Sequence, residues 1–103
     1  MALLHVVALG LDAAPGAELA EVMAGLGALA GRIDGFDAFA HGPNVDVEGK
    51  TPDHPYAFVC TFRDRAALAA YAEDPRHRAL GARLVALCGG DPDRIRVYDI
   101  ETA

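Results

Sequence analysis

The chain has 103 residues, a length that suits one domain and is too short for two. Its residues are 52% hydrophobic, a high share for a domain with a small core, so we expect part of the apolar surface to be buried in a subunit interface. The formal net charge is -6, and no run of lysine and arginine occurs. Binding to nucleic acids or to anionic membranes is therefore not expected, since both depend on clustered positive charge.

The start of the chain, MALLHVVALGLD, has no basic segment before its short apolar run. It predicts a strand, and neither a signal peptide nor a membrane span. The two cysteines, Cys60 and Cys88, fall on separate predicted elements and lack the spacing of metal ligands. We therefore expect both to be buried free thiols of a cytoplasmic protein. We also expect the protein to use no cofactor.

Two strands and one helix are predicted in the first half of the chain. Residues 3–10 are apolar on both alternating faces, which is typical of a strand that is covered on both sides. Pro15 suits the first turn of a helix that stops at Gly31 and carries one apolar stripe at helical spacing. The stripe consists of Leu19, Val22, Met23, Leu26 and Leu29. Residues 36–42 (FDAFAHG) predict a second strand, and the polar residues 43–55 predict a long surface loop.

The third strand and the start of a second helix follow this loop. Residues 56–62 (YAFVCTF) are again apolar on both alternating faces. Asp64 can accept the hydrogen bonds of free amide groups at the start of a helix, and this short helix carries Leu68 and Tyr71.

The second helix is predicted to break at Asp74 and Pro75, which suit the cap and the first position of a new helical segment. This segment ends at the glycines 89–90, and residues 94–101 (RIRVYDIE) form the last strand. The order β-α-β-β-α-β predicts an α+β domain with a ferredoxin-like fold, in which helices cover an antiparallel four-stranded sheet. Residues 1–103 form this single domain, and its first and third strands are central.

Two helical segments can cover only one face of such a sheet. The other face would expose large apolar side chains of the central strands, and at about 25 cal/mol per Å² their burial is worth several kcal/mol. We therefore predict a homodimer in which two copies stack their open sheet faces. The alternative is a monomer whose loop of residues 43–55 folds over the sheet, although so polar a loop covers apolar surface badly.

The segment YAEDPRH (residues 71–77) contains the main candidate site. With Asp74 as the cap, His77 lies in the first turn of its helix and in line with Leu80 and Leu84, on the face turned toward the sheet. Burial and the positive end of the helix both disfavour the imidazolium, and the Asp74 carboxylate opposes them in part. We expect a neutral imidazole, which is the form that a general base requires.

Tyr71 and His5 can reach the same space from the preceding helix and from the first strand. In the functional interpretation, His77 is the base in a small cavity, Tyr71 is the donor to a substrate oxygen, and His5 orients the substrate. Tyr56 and Leu80 are the candidate ligand contacts. In the structural interpretation, Tyr71 and His77 only shape the helix break, and His77 bonds a backbone carbonyl or Tyr71. Both interpretations remain open at this point.

His41 and His54 flank the long loop, and with its acidic residues they could compose a metal site. No pair has ligand spacing on a regular element, so we predict no metal site. The chain has no G-x-G-x-x-G, G-x-S-x-G or P-loop motif, so it gives no support for nucleotide binding or for a serine nucleophile.

Four segments of the chain stand out by their order and spacing: HVVALGLD at 5–12, GPNV at 42–45, FVCTFRDRAALAAY at 58–71 and YAEDPRH at 71–77. Together they resemble the stress-responsive A/B barrel (Dabb) family, and the resemblance covers nearly the whole chain. It implies a dimeric α+β barrel. Some members of the family are linked to stress responses, and others resemble polyketide cyclases.

The resemblance implies a homodimer that binds a small organic ligand in a pocket near His77, with an activity that the family does not define. The alternative is a cofactor-independent enzyme, similar to a polyketide cyclase or an isomerase, with His77 as base and Tyr71 as proton donor. Cyclase-type members are expected to add an imidazole at the start of the third strand. This chain has Tyr56 there, and a phenol changes the proton donors and acceptors of the site.

Overall fold

The computed structural model describes all 103 residues and has one antiparallel four-stranded sheet, with the helices on one of its faces. The strands are β1 (Leu3–Leu9), β2 (Phe36–Pro43), β3 (Tyr56–Phe62) and β4 (Ile95–Glu101). The helices are α1 (Ala17–Gly27), α2 (Arg65–Glu73) and α3 (Pro75–Leu87). The strand order is β2-β3-β1-β4, so the ferredoxin-like fold and the central position of β1 and β3 are confirmed. None of the helices is long and apolar enough to cross a membrane.

Two aspartates begin α2 and α3 as predicted. Asp64 Oδ1 accepts a hydrogen bond from the backbone N–H of Ala67 at 2.9 Å, and Asp74 Oδ1 accepts one from the N–H of Arg76 at 2.8 Å. Pro75 occupies the first turn of α3. The proline also disfavours helical backbone angles in the residue before it, and Asp74 accordingly has φ -63° and ψ 126°. The predicted break between the two helical segments is therefore caused by the proline ring of Pro75.

Helix α1 is shorter than predicted at both ends. It begins at Ala17, after Gly16, whose extended backbone offers no side chain as a cap. It ends at Gly27, and tight turns carry the chain from there to Gly31, which has a φ of +80°. Leu29 lies in these turns and is nevertheless buried, so the apolar stripe extends beyond the helix that it predicted.

The glycines of α1 allow close approach of neighbouring elements. A Cβ atom at Gly27 would lie 3.2 Å from the ring of Phe39 on β2, while one at Gly25 would lie 2.9 Å from the end of Leu80 on α3. The first contact joins helix and sheet, and the second joins two helices.

Helices pack on only one of the two faces of the sheet. The face toward the helices supplies the core with alternate residues of the central strands, namely Leu3, Val7, Leu9, Phe58, Cys60 and Phe62. The opposite face, which we call the open face, has no helix over it. By the register of the strands it carries Leu4, Val6, Ala8, Ala57, Val59, Arg96, Tyr98 and Ile100. Tyr98 is 64% exposed and Ile100 is 49% exposed, so large apolar side chains lie uncovered on it.

The long loop reaches only one end of the open face. Parts of the segment 44–54 line a cavity together with Ala8, Arg96 and Tyr98. The exposure of Tyr98 and Ile100 shows that this loop does not cover the sheet in the way that the monomeric alternative requires.

Candidate functional site

Three of the predicted site residues meet on the helix-facing side of the sheet. His5 lies on β1, Tyr71 lies near the end of α2, and His77 lies in the first turn of α3. The centroid of the Tyr71 ring is 5.8 Å from that of His5 and 4.0 Å from that of His77. The structure thus places a tyrosine ring between two imidazoles.

The short distance between Tyr71 and His77 depends on the helix break. Because Asp74 is extended, α3 starts as a separate helix, and the His77 ring in its first turn lies against the Tyr71 ring of α2. The Arg76 guanidinium hydrogen-bonds the Asp74 carboxylate at 2.8 Å, and together with the Arg76 and His77 backbone it lowers the pKa of Asp74 to about 2. The carboxylate therefore stays charged, and it caps α3 across the physiological pH range.

Asp99 joins this cluster, and the sequence analysis missed it. Its Oδ1 atom lies 2.6 Å from His5 Nδ1, because the β1–β4 register places the two residues directly opposite each other. An ionised carboxylate only accepts hydrogen bonds, so Nδ1 of His5 carries a proton and donates it to Asp99. The signal was available: alternation along RIRVYDIE places Asp99 on the face of Val97, and a ferredoxin-like order pairs this strand with β1.

Burial acts in opposite directions on the acid–base groups of the cluster. It lowers the pKa of His77, and the nearby His5 lowers it further, while the Ala72 carbonyl and the Asp74 carboxylate oppose the shift. The His77 Nδ1 atom lies 3.4 Å from the Ala72 oxygen, which is a long hydrogen bond. Burial raises the pKa of the Tyr71 phenol. At neutral pH the imidazole of His77 is therefore neutral, and Tyr71 keeps its proton.

Tyr71 belongs to the core and not to a cavity wall. Its side chain is only 1% exposed, and its hydroxyl oxygen accepts a weak hydrogen bond from the Cys60 thiol at 3.9 Å. No cavity of the structure is lined by His5, Tyr71 or His77. The enclosed pocket that the functional interpretation predicts at this point is therefore not formed in the single protomer.

The cluster is instead reached from the side of β4. The helices pack over β1, β2 and β3, and none of them packs extensively on β4. Val97 is 49% exposed although it pairs with the buried Val7 on the same face, and the side chain of Asp99 is 42% exposed. We call the exposed surface of Val97 and Asp99, next to His5, the β4 groove.

Of the two predicted ligand contacts, Leu80 follows His77 closely on α3 and Tyr56 lies apart from the cluster. Tyr56 stands at the other end of the core side of β3, opposite Leu9, and its hydroxyl is 2.7 Å from His41 Nδ1. Leu80 lies one turn after His77 on α3, and it also packs on α1 at Gly25. The structure does not bring Tyr56 to the space beside His77.

The loop histidines do not form a metal-binding cluster. No group of three or more histidine, cysteine, aspartate or glutamate side chains in the chain is arranged to hold a metal ion. His41 contacts Tyr56, whereas the Nε2 atom of His54 is buried and has no hydrogen-bond partner.

The sequence profile of the stress-responsive A/B barrel domain (Dabb) matches residues 3–102 of this chain. The chain belongs to this family. The match spans β1 to β4 and therefore includes the whole fold and all four residues of the cluster, His5, Tyr71, His77 and Asp99. The resemblance that the sequence motifs indicated is confirmed.

Several solved structures share the fold of this Dabb domain. A protein of unknown function from Jannaschia sp. CCS1, described as a dimeric ferredoxin-like protein, is 42% identical over 99% of this chain and 100% of its own, with a TM-score of 0.88. A hydroxynitrile lyase from Passiflora edulis is 17% identical over 99% of this chain and 95% of its own, with a TM-score of 0.78. SnoaB, a cofactor-independent oxygenase from Streptomyces nogalater, is 20% identical over 98% and 92%, with a TM-score of 0.76. No curated protein matches the sequence.

Proposed function

We propose that this Dabb domain is a homodimer that stacks the open faces of two sheets. The proposal is supported by the uncovered apolar side chains of that face, among them Tyr98 and Ile100. The Jannaschia protein, which shares 42% of its residues with this chain, is described as dimeric. Burial of the two faces against each other removes from water the apolar surface that neither the helices nor the long loop cover.

We further propose that the β4 groove of each protomer binds a small organic molecule. The observation that carries this proposal is the exposure of Val97 and Asp99 on a sheet face that is otherwise packed under helices. Val97 offers an apolar contact at the floor of the groove. The imidazoles of His5 and His77 and the carboxylate of Asp99 offer a few polar groups, which is the combination that small-molecule sites use.

Proton transfer in this groove is the second candidate function. The neutral His77 imidazole could take a proton from a carbon atom next to a carbonyl group, and the electron pair of the broken C–H bond would move to the carbonyl oxygen. The resulting enolate oxygen needs a hydrogen-bond donor, and the protonated Tyr71 phenol is the donor that the sequence predicted. Such a reaction needs no cofactor.

The position of the Tyr71 hydroxyl group shows which of these two functions the geometry supports better. The Tyr71 hydroxyl faces Cys60 inside the core, so it reaches a substrate only if α2 and α3 separate. Binding in the groove requires no such movement. Ligand binding is therefore the function that the geometry supports best, and proton transfer requires an additional opening of the cluster.

An acetoacetyl thioester in deuterated buffer tests both functions in one experiment. Binding predicts saturable chemical-shift changes at His5, Val97 and Asp99. Enzymatic proton transfer predicts, in addition, exchange of the protons between the two carbonyl groups, about a hundredfold faster or more than in buffer alone. Replacing His77 with alanine should abolish this exchange. His41→Ala is the matched control, because His41 is an exposed histidine on the far part of the sheet.

Shifts without exchange would support a binding module and contradict the enzyme. An absence of saturable shifts near the groove with this probe and with a set of small apolar acids and ketones would contradict ligand binding at the site. Equal loss of exchange in His77→Ala and His41→Ala would contradict the assignment of His77 as the base.

We also propose that the protein works in the cytoplasm. Cys60 and Cys88 are both free and buried, and burial raises the pKa of the Cys60 thiol to about 12. Buried thiols that are not paired in a disulfide are typical of a reducing compartment.

A further inference from the structure

A cavity that shares no residue with the β4 groove lies between the long loop and one end of the open face. It has a volume of about 300 Å³. The loop contributes Lys50 and His54 to its wall, and the sheet contributes Ala8, Arg96 and Tyr98. We call this space the loop cavity, and its sheet side belongs to the loop end of the open face.

The loop cavity gathers basic groups that have no partner. The ion pairs within the protomer use other basic residues, so neither Lys50 nor Arg96 is neutralised by an acidic side chain of its own protomer within 4.0 Å. The Nε2 atom of His54 is buried without a hydrogen-bond partner. Asp53 is the one acidic residue of the wall. Unpaired cations at one concave site are notable in a chain whose formal net charge is -6.

Hydrogen bonds inside the loop hold these groups in place. The Asp46 carboxylate accepts the backbone N–H groups of Lys50 at 2.6 Å and Thr51 at 2.7 Å. The side-chain amide of Asn44 donates to the backbone oxygen of His54 at 2.8 Å. The backbone that presents Lys50 and His54 is therefore ordered before any ligand arrives, which reduces the entropy lost on binding.

We propose that the loop cavity binds a small organic anion through its carboxylate group. The planar guanidinium of Arg96 can hold a carboxylate with two parallel hydrogen bonds, and the Lys50 ammonium adds a second positive charge. The methyl group of Ala8 and the ring of Tyr98, which belong to the open face that the proposed dimer covers, provide an apolar surface for the body of the ligand at the loop end of that face. An aromatic or short aliphatic carboxylate fits these contacts, and a neutral molecule of the same shape leaves both cations unpaired.

The test is a titration of the ¹⁵N-labelled full chain with sodium benzoate at constant ionic strength, with benzyl alcohol as the uncharged probe. Benzoate should give saturable shifts at residues 44–54 and at Arg96, and benzyl alcohol should give none of comparable size. Arg96→Gln and Lys50→Gln should each weaken benzoate binding about tenfold, since each removes one charge-assisted contact. Arg78→Gln is the matched control and should bind as the unchanged protein does, because Arg78 is exposed and unpaired on α3.

Three results would overturn the proposal: equal shifts with benzyl alcohol, shifts that do not saturate, or equal weakening by Arg78→Gln. Arg96 lies on the open face, so light scattering must show that its variant keeps the mass of the unchanged protein. If that mass changes, Lys50→Gln decides alone, since Lys50 lies in the exposed loop. Undiminished binding in Lys50→Gln then refutes the site.

Discussion

Replacement of Tyr71 separates the contribution of its ring from that of its hydroxyl group. The ring is 1% exposed and packs with centroid distances of 5.0 Å to Phe62 and 5.3 Å to Phe36, besides its contacts with the two histidines. Truncating a buried aromatic residue to alanine costs about 3–5 kcal/mol. A domain of this size has a total stability of about 5–15 kcal/mol. Tyr71→Ala should therefore leave the fold only marginally stable, with a melting temperature lower by about 15 °C or more.

Tyr71→Phe keeps the ring and removes only the hydroxyl group. Its single protein partner is the Cys60 thiol at 3.9 Å, and a thiol is a weak donor. The expected loss is within about 1 kcal/mol. Urea denaturation followed by circular dichroism, at one fixed protomer concentration, measures both variants. The reasoning is refuted if Tyr71→Phe costs as much as Tyr71→Ala, or if Tyr71→Ala costs less than about 1 kcal/mol.

Two further predictions concern His77 and a glycine. Burial lowers the pKa of His77 from 6.5, so its contribution to stability is complete above pH 6.5 and is lost as the pH falls through the lowered value. His77→Gln should reduce the dependence of unfolding free energy on pH between about 7 and 5, and identical slopes would contradict this. Gly35 has a φ of +81°, and a Cβ atom there would lie 2.6 Å from Ala67 Cβ. A non-glycine residue at a positive φ costs about 1–3 kcal/mol of stability. Gly35→Ala should destabilise the domain by more than this, because the new methyl group also collides with Ala67. Gly49→Ala should show only the cost of the positive φ, since Gly49 has a φ of +66° and open space around it.

The fold could be predicted from the sequence because strong local signals agreed with one topology. The two segments without a polar face, residues 3–10 and 56–62, became the central strands, and the Asp74-Pro75 pair broke the second helix where its backbone chemistry requires. The ends of α1 were less accurate, since Leu29 continues the apolar stripe while the backbone already turns. The hydrophobic pattern of a sequence reports which residues are buried, whereas the ends of a helix depend on backbone hydrogen bonds, so the two need not coincide.

The candidate site could be predicted only in part. Local spacing brought Tyr71 and His77 together, and the strand face indicated His5. Asp99 was missed because its place depends on the register between the first and last strands, which local patterns do not determine. The ligand contact expected at Tyr56 depended on a long-range distance of the same kind, and the structure places this residue beside His41 instead. The contact expected at Leu80, one helical turn after His77, stays a prediction.

The mass of the particle in solution tests the central claim most directly, namely that two protomers join through the open face. Light scattering at micromolar concentration should return twice 10.8 kDa for the unchanged chain. Val59→Asp, which places a carboxylate at the middle of the open face opposite Val6, should return 10.8 kDa with an unchanged circular dichroism spectrum. The same substitution at Val45, which is 80% exposed on the loop, should leave the dimer intact. A mass of 10.8 kDa for the unchanged chain, or a Val59→Asp variant that remains a dimer, would contradict the account.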